Sequence, residues 1–241
     1  MNEIELGIFD HILLFLLGIV LPIFAVFQAQ LDMKGMKFDT EMKKHVYYGN
    51  SIFQWVCAGL ILFLWLGNSR PFSSLGFQIG EWPPLAWQLV LLFLVLYGID
   101  VWWELRNENA RIATQRKWLR EIPILPTNYE EFRHFLFVAF TAGVCEEIIF
   151  RGFFVHYFLA LNQNNAMGNW LAVGIPAFLF AVGHLYQGHK AVAKIVIMAI
   201  IFGWIFILTQ SLLLLILIHF LVDVIGGYLA YRLLRHVRWL K

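Results

Sequence analysis

The sequence predicts an all-α, polytopic transmembrane helical bundle of about seven spans, with its N-terminus outside and its C-terminus cytoplasmic. Three observations predict it. Of 241 residues, 60% are hydrophobic and only 14% are charged, against roughly a quarter in soluble domains. Apolar runs come close to or exceed the ~20 residues needed to cross a bilayer. Lys and Arg fall almost entirely on one side of those runs. Together with a mean hydropathy of +0.69, this composition excludes a water-soluble enzyme, a disordered chain and a nucleic-acid binder. The net charge of +2 implies no strongly charged partner. The expected location is the plasma (cell) membrane, as a multi-pass protein.

The runs are 7–28, 50–67, 84–103, 133–160, 169–187, 191–209 and 211–233. The first follows Glu3 and Glu5 and carries Asp10 at its edge. A cleavable signal needs a positive leading segment and a shorter core, so this run reads as a retained span. The second run is short. The sixth and seventh part only around Thr209-Gln210-Ser211, a tight helical hairpin. Cys57 and Cys145 both sit in apolar runs, which argues against a disulfide framework.

One set of alternating loops takes Lys34, Lys37, Lys43, Lys44, Arg106, Arg111, Arg116, Lys117, Arg120, Arg133, Lys190, Lys194, Arg232, Arg235, Arg238 and Lys241. That is 16 of the 18 basic residues. The other side has Arg70, and Arg151 lies inside a span. The positive-inside rule then fixes the orientation. The basic stretch 107–120, with Trp118, reads equally as an interfacial helix on anionic lipid and as a solvated loop. The chain divides into N-terminal spans with a basic loop (1–131), a core (132–231) and a basic tail (232–241).

Most charge lies in loops or at span edges, where Asp10, Asp100 and Glu104 can snorkel. The exceptions are Glu146, Glu147 and Arg151 in the fourth run, His184 in the fifth, and His219 and Asp223 in the seventh. An ionisable group at the bilayer centre costs about 2.5–3.5 kcal/mol on insertion scales. Six on three helices must face one another or a wet cavity. Glu147 and Arg151 are four apart and share a helix face, so they can pair. Glu146 points about 100° away and is left free. His219 and Asp223 are also four apart, so Asp223 can orient the ring. His184 has Phe180 one turn before it. A free carboxylate with two imidazoles in a dry bundle suits hydrolysis, the carboxylate taking a proton from water and the histidines sharing that water or meeting an oxyanion. A buried polar network that merely locks packing is the bland alternative. The remaining histidines, His11, His45, His134, His156, His189 and His236, lie near loops or span ends, where imidazole is easily solvated.

These residues spell Glu146-Glu147-Ile-Ile-Phe-Arg151, Phe180-Ala-Val-Gly-His184 and His219-Phe-Leu-Val-Asp223. Their order and spacing resemble the CPBP family, the CAAX protease and bacteriocin-processing (Abi) membrane proteins, which includes the Ras-converting CAAX prenyl endopeptidase. Arg70-Pro-Phe-Ser-Ser-Leu-Gly-Phe77 is similar to a weaker R…LGF element upstream. The resemblance implies a glutamate-type intramembrane endopeptidase without a cofactor. Glu146 would be the general base and His184 would help to activate water. His219 would sit at the oxyanion side with Asp223 assisting, and Glu147, Arg151 and Phe180 would be structural or tuning. It also implies a peptide or protein substrate, lipidated or membrane-anchored, met in the lipid bilayer. The prenyl endopeptidases carry Asn at the last motif position. Asp223 cannot donate a hydrogen bond unless protonated, so orienting His219 is the more natural role for it.

Three alternatives stay open. Glu146, His184 and His219 match a His₂Glu zinc set, though HExxH is absent. Buried Glu, Asp and His also make proton relays, so a transporter is a second reading, without an inverted repeat to support it. A non-proteolytic immunity protein of the same fold is the third. Cys145 reads as a small packing residue, not a nucleophile.

Overall fold

The computed structural model describes residues 5–30, 38–162 and 166–235, which form ten α-helices with π and 3-10 segments and, among the described residues, no strand. Lys34, Lys37, Arg238 and Lys241, on which part of the orientation argument leans, lie outside the described residues, as does His236.

Helices α1 (Ile8–Phe15) and α2 (Leu21–Gln30) are joined without a break by a π turn, Leu16–Val20. Pro22 has no N–H for the ladder and its ring crowds the carbonyl four residues back, so the turn ahead of it widens. Helix α3 (Thr40–Gly67) starts ten residues before the apolar run does. Asp39 caps it by accepting from the Met42 N–H. Its polar first turns are stabilised by burial against the later chain. Lys43 Nζ donates to Glu131 Oε2 at 2.9 Å and to the Leu125 carbonyl at 2.8 Å.

Arg70 follows α3 and grips Asp10 with both terminal nitrogens at 2.8 Å. Asp10 is therefore a buried ion-pair partner, where the sequence suggested a snorkelling group. The 3-10 turn Phe72–Leu75 ends at Gly76, whose φ of +107° suits glycine. The Gly76 carbonyl accepts from Leu212 N, and Gln78 exchanges hydrogen bonds with Gln210 and Ser211. The R…LGF element thus docks onto the hairpin between α9 (His189–Thr209) and α10 (Leu213–Leu234).

Helix α4 (Pro84–Leu105) opens on a proline at its first position, where no N–H is needed. Stretch 107–120 is a helix, α5 (Glu108–Glu121), capped by Asn107. Thr114 hydrogen-bonds the Glu104 carbonyl of α4, and Gln115 the Leu233 carbonyl of α10. The chain after α5 meets the start of α3, where Tyr47 donates to the Ile124 carbonyl. Helix α5 therefore lies across one end of the bundle and ties three helix ends together.

Helix α6 (Tyr129–Glu147) runs through a π segment, Ile148–Val155, into α7 (His156–Leu161), giving one continuous helical rod. The π segment packs Gly152 against Leu75, where a Cβ would come within 3.3 Å of the leucine side chain. His156 Nδ1 donates to the carbonyl of Gly152 at 2.6 Å. His156 is only 2% exposed. The sequence placed it near a span end in easy reach of water; the continuous rod buries it instead. Helix α8 (Ala166–Gly183) carries Pro176 inside it and is followed by a 3-10 turn, Leu185–Gln187.

Among the described residues four helices, α3, α4, α9 and α10, are long and apolar enough to cross a membrane, and Ile8–Phe24 and Met167–Gly183 are shorter apolar stretches. The rod from Tyr129 to Leu161 is longer than either of those but carries the charged groups. Their exposed surfaces are apolar: Phe63, Leu91, Trp102 and Phe178 all lie open. That outward-facing apolar surface is what a bilayer covers.

Candidate active site

The fourth and seventh apolar runs bring their polar groups together, while His184 of the fifth stands off behind Phe180. Glu147, at the end of α6, is fully buried. Its Oε1 accepts from Arg151 Nη1 at 2.8 Å and from His219 Nδ1 at 2.7 Å. The pairing of Glu147 with Arg151, read from the four-residue spacing, is present although the π segment begins between them. Arg151 lies over two aromatic rings. Its guanidinium carbon is 5.1 Å from the Phe180 ring centroid and 5.3 Å from that of Phe202.

A carboxylate only accepts, so Nδ1 of His219 carries the hydrogen in that bond. Its Nε2 is the atom left to work. Two other carboxylate oxygens approach it equally, Glu146 Oε2 and Asp223 Oδ2, each at 3.8 Å. That is too long for a direct hydrogen bond and suits a bridging water. The carboxylate nearest the ring is Glu147, not Asp223, whose side chain faces the opposite nitrogen. Exposure rises across the group, from 0% for the Glu147 side chain to 13% for Glu146 and 31% for Asp223. Glu147 and Arg151 are thus the closed floor, and Asp223 is at the open rim.

His184 ends α8. Its Nδ1 donates to the Phe180 carbonyl at 2.7 Å, leaving Nε2 free. Its ring is 4.5 Å from that of Phe180, which in turn lies 6.3 Å from that of His219. Phe180 is therefore the spacer between the two imidazoles, and Tyr186 stacks on the far face of His184.

Two contributors escape the motif reading. Gln54, on α3, donates Nε2 to Glu146 Oε1 at 2.9 Å. It is an amide set among apolar residues from 52 to 67, a signal that a search confined to ionisable groups passes over. Phe202, on α9, is buried against Arg151 and His219. Nothing in the sequence marks it among 23 phenylalanines. Cys145 and Cys57 are buried free thiols inside the packed core. Glu146, His184 and His219 are the residues a zinc ion would need, but among the described residues no three His, Cys, Asp or Glu side chains are grouped to hold a metal.

Residues 129–225 match the family model described as Rce1-like, type II CAAX prenyl endopeptidase. This segment, under half of the chain, is similar to that family. The match contains Glu146, Glu147, Arg151, His184, His219 and Asp223, and it bears out the resemblance carried by the three motifs. It leaves out Gln54. Neither a curated protein nor a solved structure matches the chain. The Rce1-like match points to a peptidase whose substrate is a protein or peptide in a membrane, which agrees with four helices, among the described residues, long and apolar enough to cross one.

Proposed function

We propose that this protein is an intramembrane endopeptidase in which Glu146 activates a water molecule. The observation that carries the reading is the 3.8 Å gap between Glu146 Oε2 and His219 Nε2. A water seated beside both atoms gives a hydrogen to Glu146, hydrogen-bonds His219 Nε2 and turns a lone pair outward. Its oxygen bonds to the peptide carbonyl carbon, the π electrons move to the carbonyl oxygen, and Glu146 takes the proton. Collapse of the tetrahedral species breaks the C–N bond, and Glu146 returns the proton to the leaving amine. His184, just past the end of α8, meets the carbonyl oxygen as it gains charge. Glu147 and Arg151 hold the His219 ring and touch no substrate. The chemistry runs without a metal. The bundle crosses the membrane about seven times with its basic loops in the cytoplasm, and the substrate reaches the rim at Asp223 from the bilayer.

The test is hydrolysis by the pure full-length protein in detergent. The probes are a peptide with a farnesylated CAAX end and its unprenylated counterpart, read by mass spectrometry. Cleavage of either is expected, and Glu146→Gln should lower it by about 10²–10⁴-fold, the usual loss for a general base. Cleavage by that variant at the wild-type rate removes Glu146 from the mechanism. Activity lost on chelation and restored by zinc would overturn the metal-free chemistry.

A further inference from the structure

We infer that Gln54 is a positioning residue that decides which oxygen of Glu146 meets the water; this rests on the reading of Glu146 as the base. Gln54 lies on α3, outside the segment that matches the peptidase family. Its Nε2 donates to Glu146 Oε1 at 2.9 Å. The acceptor-only carboxylate settles the amide's orientation, with NH₂ toward Glu146 and Oε1 away from it. With Oε1 occupied, Oε2 is the oxygen turned to His219 Nε2, at 3.8 Å. Gln54 therefore divides the labour between two otherwise equivalent atoms.

Two further observations set Gln54 apart from packing. Between residues 52 and 67 it is the one side-chain amide and there is no charge, in a helix apolar enough to cross a membrane. A polar group there is retained at a cost and needs a partner. Its Oε1 is buried with no hydrogen-bond partner. A glutamine present only to lock two helices would have both ends satisfied, because an orphaned buried acceptor is destabilising. Its register is also fixed from outside. The adjacent Trp55 donates Nε1 to Thr141 Oγ1 of α6 at 3.1 Å, and Tyr48 meets His134 at 2.7 Å.

The experiment compares Gln54→Leu, Gln54→Glu and Glu146→Gln with wild type, using the farnesylated CAAX peptide. Gln54→Leu should lower kcat about 10- to 100-fold, the worth of one hydrogen bond to a charged group, with KM and thermal stability unchanged. Gln54→Glu donates to Glu146 only as the neutral acid and repels it when ionised, so its rate relative to wild type should recover toward acid pH. A wild-type kcat in Gln54→Leu, or a wild-type pH profile in Gln54→Glu, overturns the inference. Infrared difference spectra on ¹³C-glutamate-labelled protein need no substrate. Gln54→Leu should shift a carboxyl band, and the shift should vanish in a Glu146→Gln background. No such band also overturns the inference. If instead Glu146→Gln cleaves normally, the proposed mechanism fails while the infrared result still decides the Gln54–Glu146 contact.

Discussion

His219 hands the hydrogen on its Nδ1 to Glu147, 2.7 Å away, and not to Asp223. Spacing within α10 makes Asp223 the obvious partner, since it stands one turn beyond the histidine. The ring is instead turned by a carboxylate from another helix, which Arg151 and two aromatic faces hold in place. Asp223 is left free at the rim.

Asp223→Asn should therefore leave the rate and its pH dependence close to wild type, because the ring keeps its orienting bond. Asparagine is also the residue that the similar prenyl endopeptidases carry at the last motif position. A pH–rate series on the purified variant checks this. A deep loss with a displaced profile would make Asp223 the group that tunes His219.

Arg151→Ala should destabilise the protein as well as silence it. It leaves Glu147 as an uncompensated buried carboxylate, and breaking a buried pair from one side costs about 3–5 kcal/mol. Lysine should not rescue it, since a compact ammonium cannot lie flat over Phe180 and Phe202. Thermal melting in detergent measures both variants. An Arg151→Ala protein as stable as wild type yet inactive would move Arg151 from the floor of the site into the chemistry.

Gly76→Ala should destabilise by about 2–5 kcal/mol, combining backbone strain at positive φ with overpacking. An added Cβ would sit 2.7 Å from Phe206 and 2.8 Å from Leu212. Melting temperature checks this, with Gly98→Ala as the comparison, since nothing lies within 4 Å of a Cβ there.

Glu131 gives a pH dependence outside the spans. Burial pushes its carboxyl up, but the Lys43 ammonium, the Thr127 N–H and the Thr40 hydroxyl outweigh burial and hold it below the ordinary carboxylate range. A depressed folded-state value means stability that is fully present above the unfolded value, ~4.3. That stability is lost as pH falls through the folded value. Wild type should thus lose melting temperature on acidification more steeply than Glu131→Gln. Parallel curves would remove Glu131 as a source of acid sensitivity.

Six of the site residues were legible because charge in an apolar run is conspicuous, and four-residue spacing gives Glu147–Arg151 directly. The partner of His219 was not legible. It depends on how α10 packs against α6, and on a π segment that turns Arg151 under Phe180. Neither leaves a mark in local sequence. The polar beginning of α3 was missed for a similar reason: Lys43 looks like loop charge until Glu131, 88 residues later, buries it. The tight α9–α10 hairpin follows from a local signal, the break at Thr209-Gln210-Ser211, whereas 107–120 reads equally as helix and loop until its packing against α4 and α10 settles it as helix.

Helices α3 and α6 are joined by polar rungs along their length: Lys43–Glu131, Tyr48–His134 and Trp55–Thr141. In lipid, where apolar surfaces gain little by meeting one another, such rungs drive recognition between helices. Covalent continuity through the segment between α5 and α6 is then secondary to this zipper. Residues 1–124 and 125–241, made as separate polypeptides in one membrane, are expected to find each other through these rungs, which co-purification of the two pieces checks. Neither piece alone holds both Gln54 and Glu146, so the reassembled pair is a natural way to switch the site on by mixing.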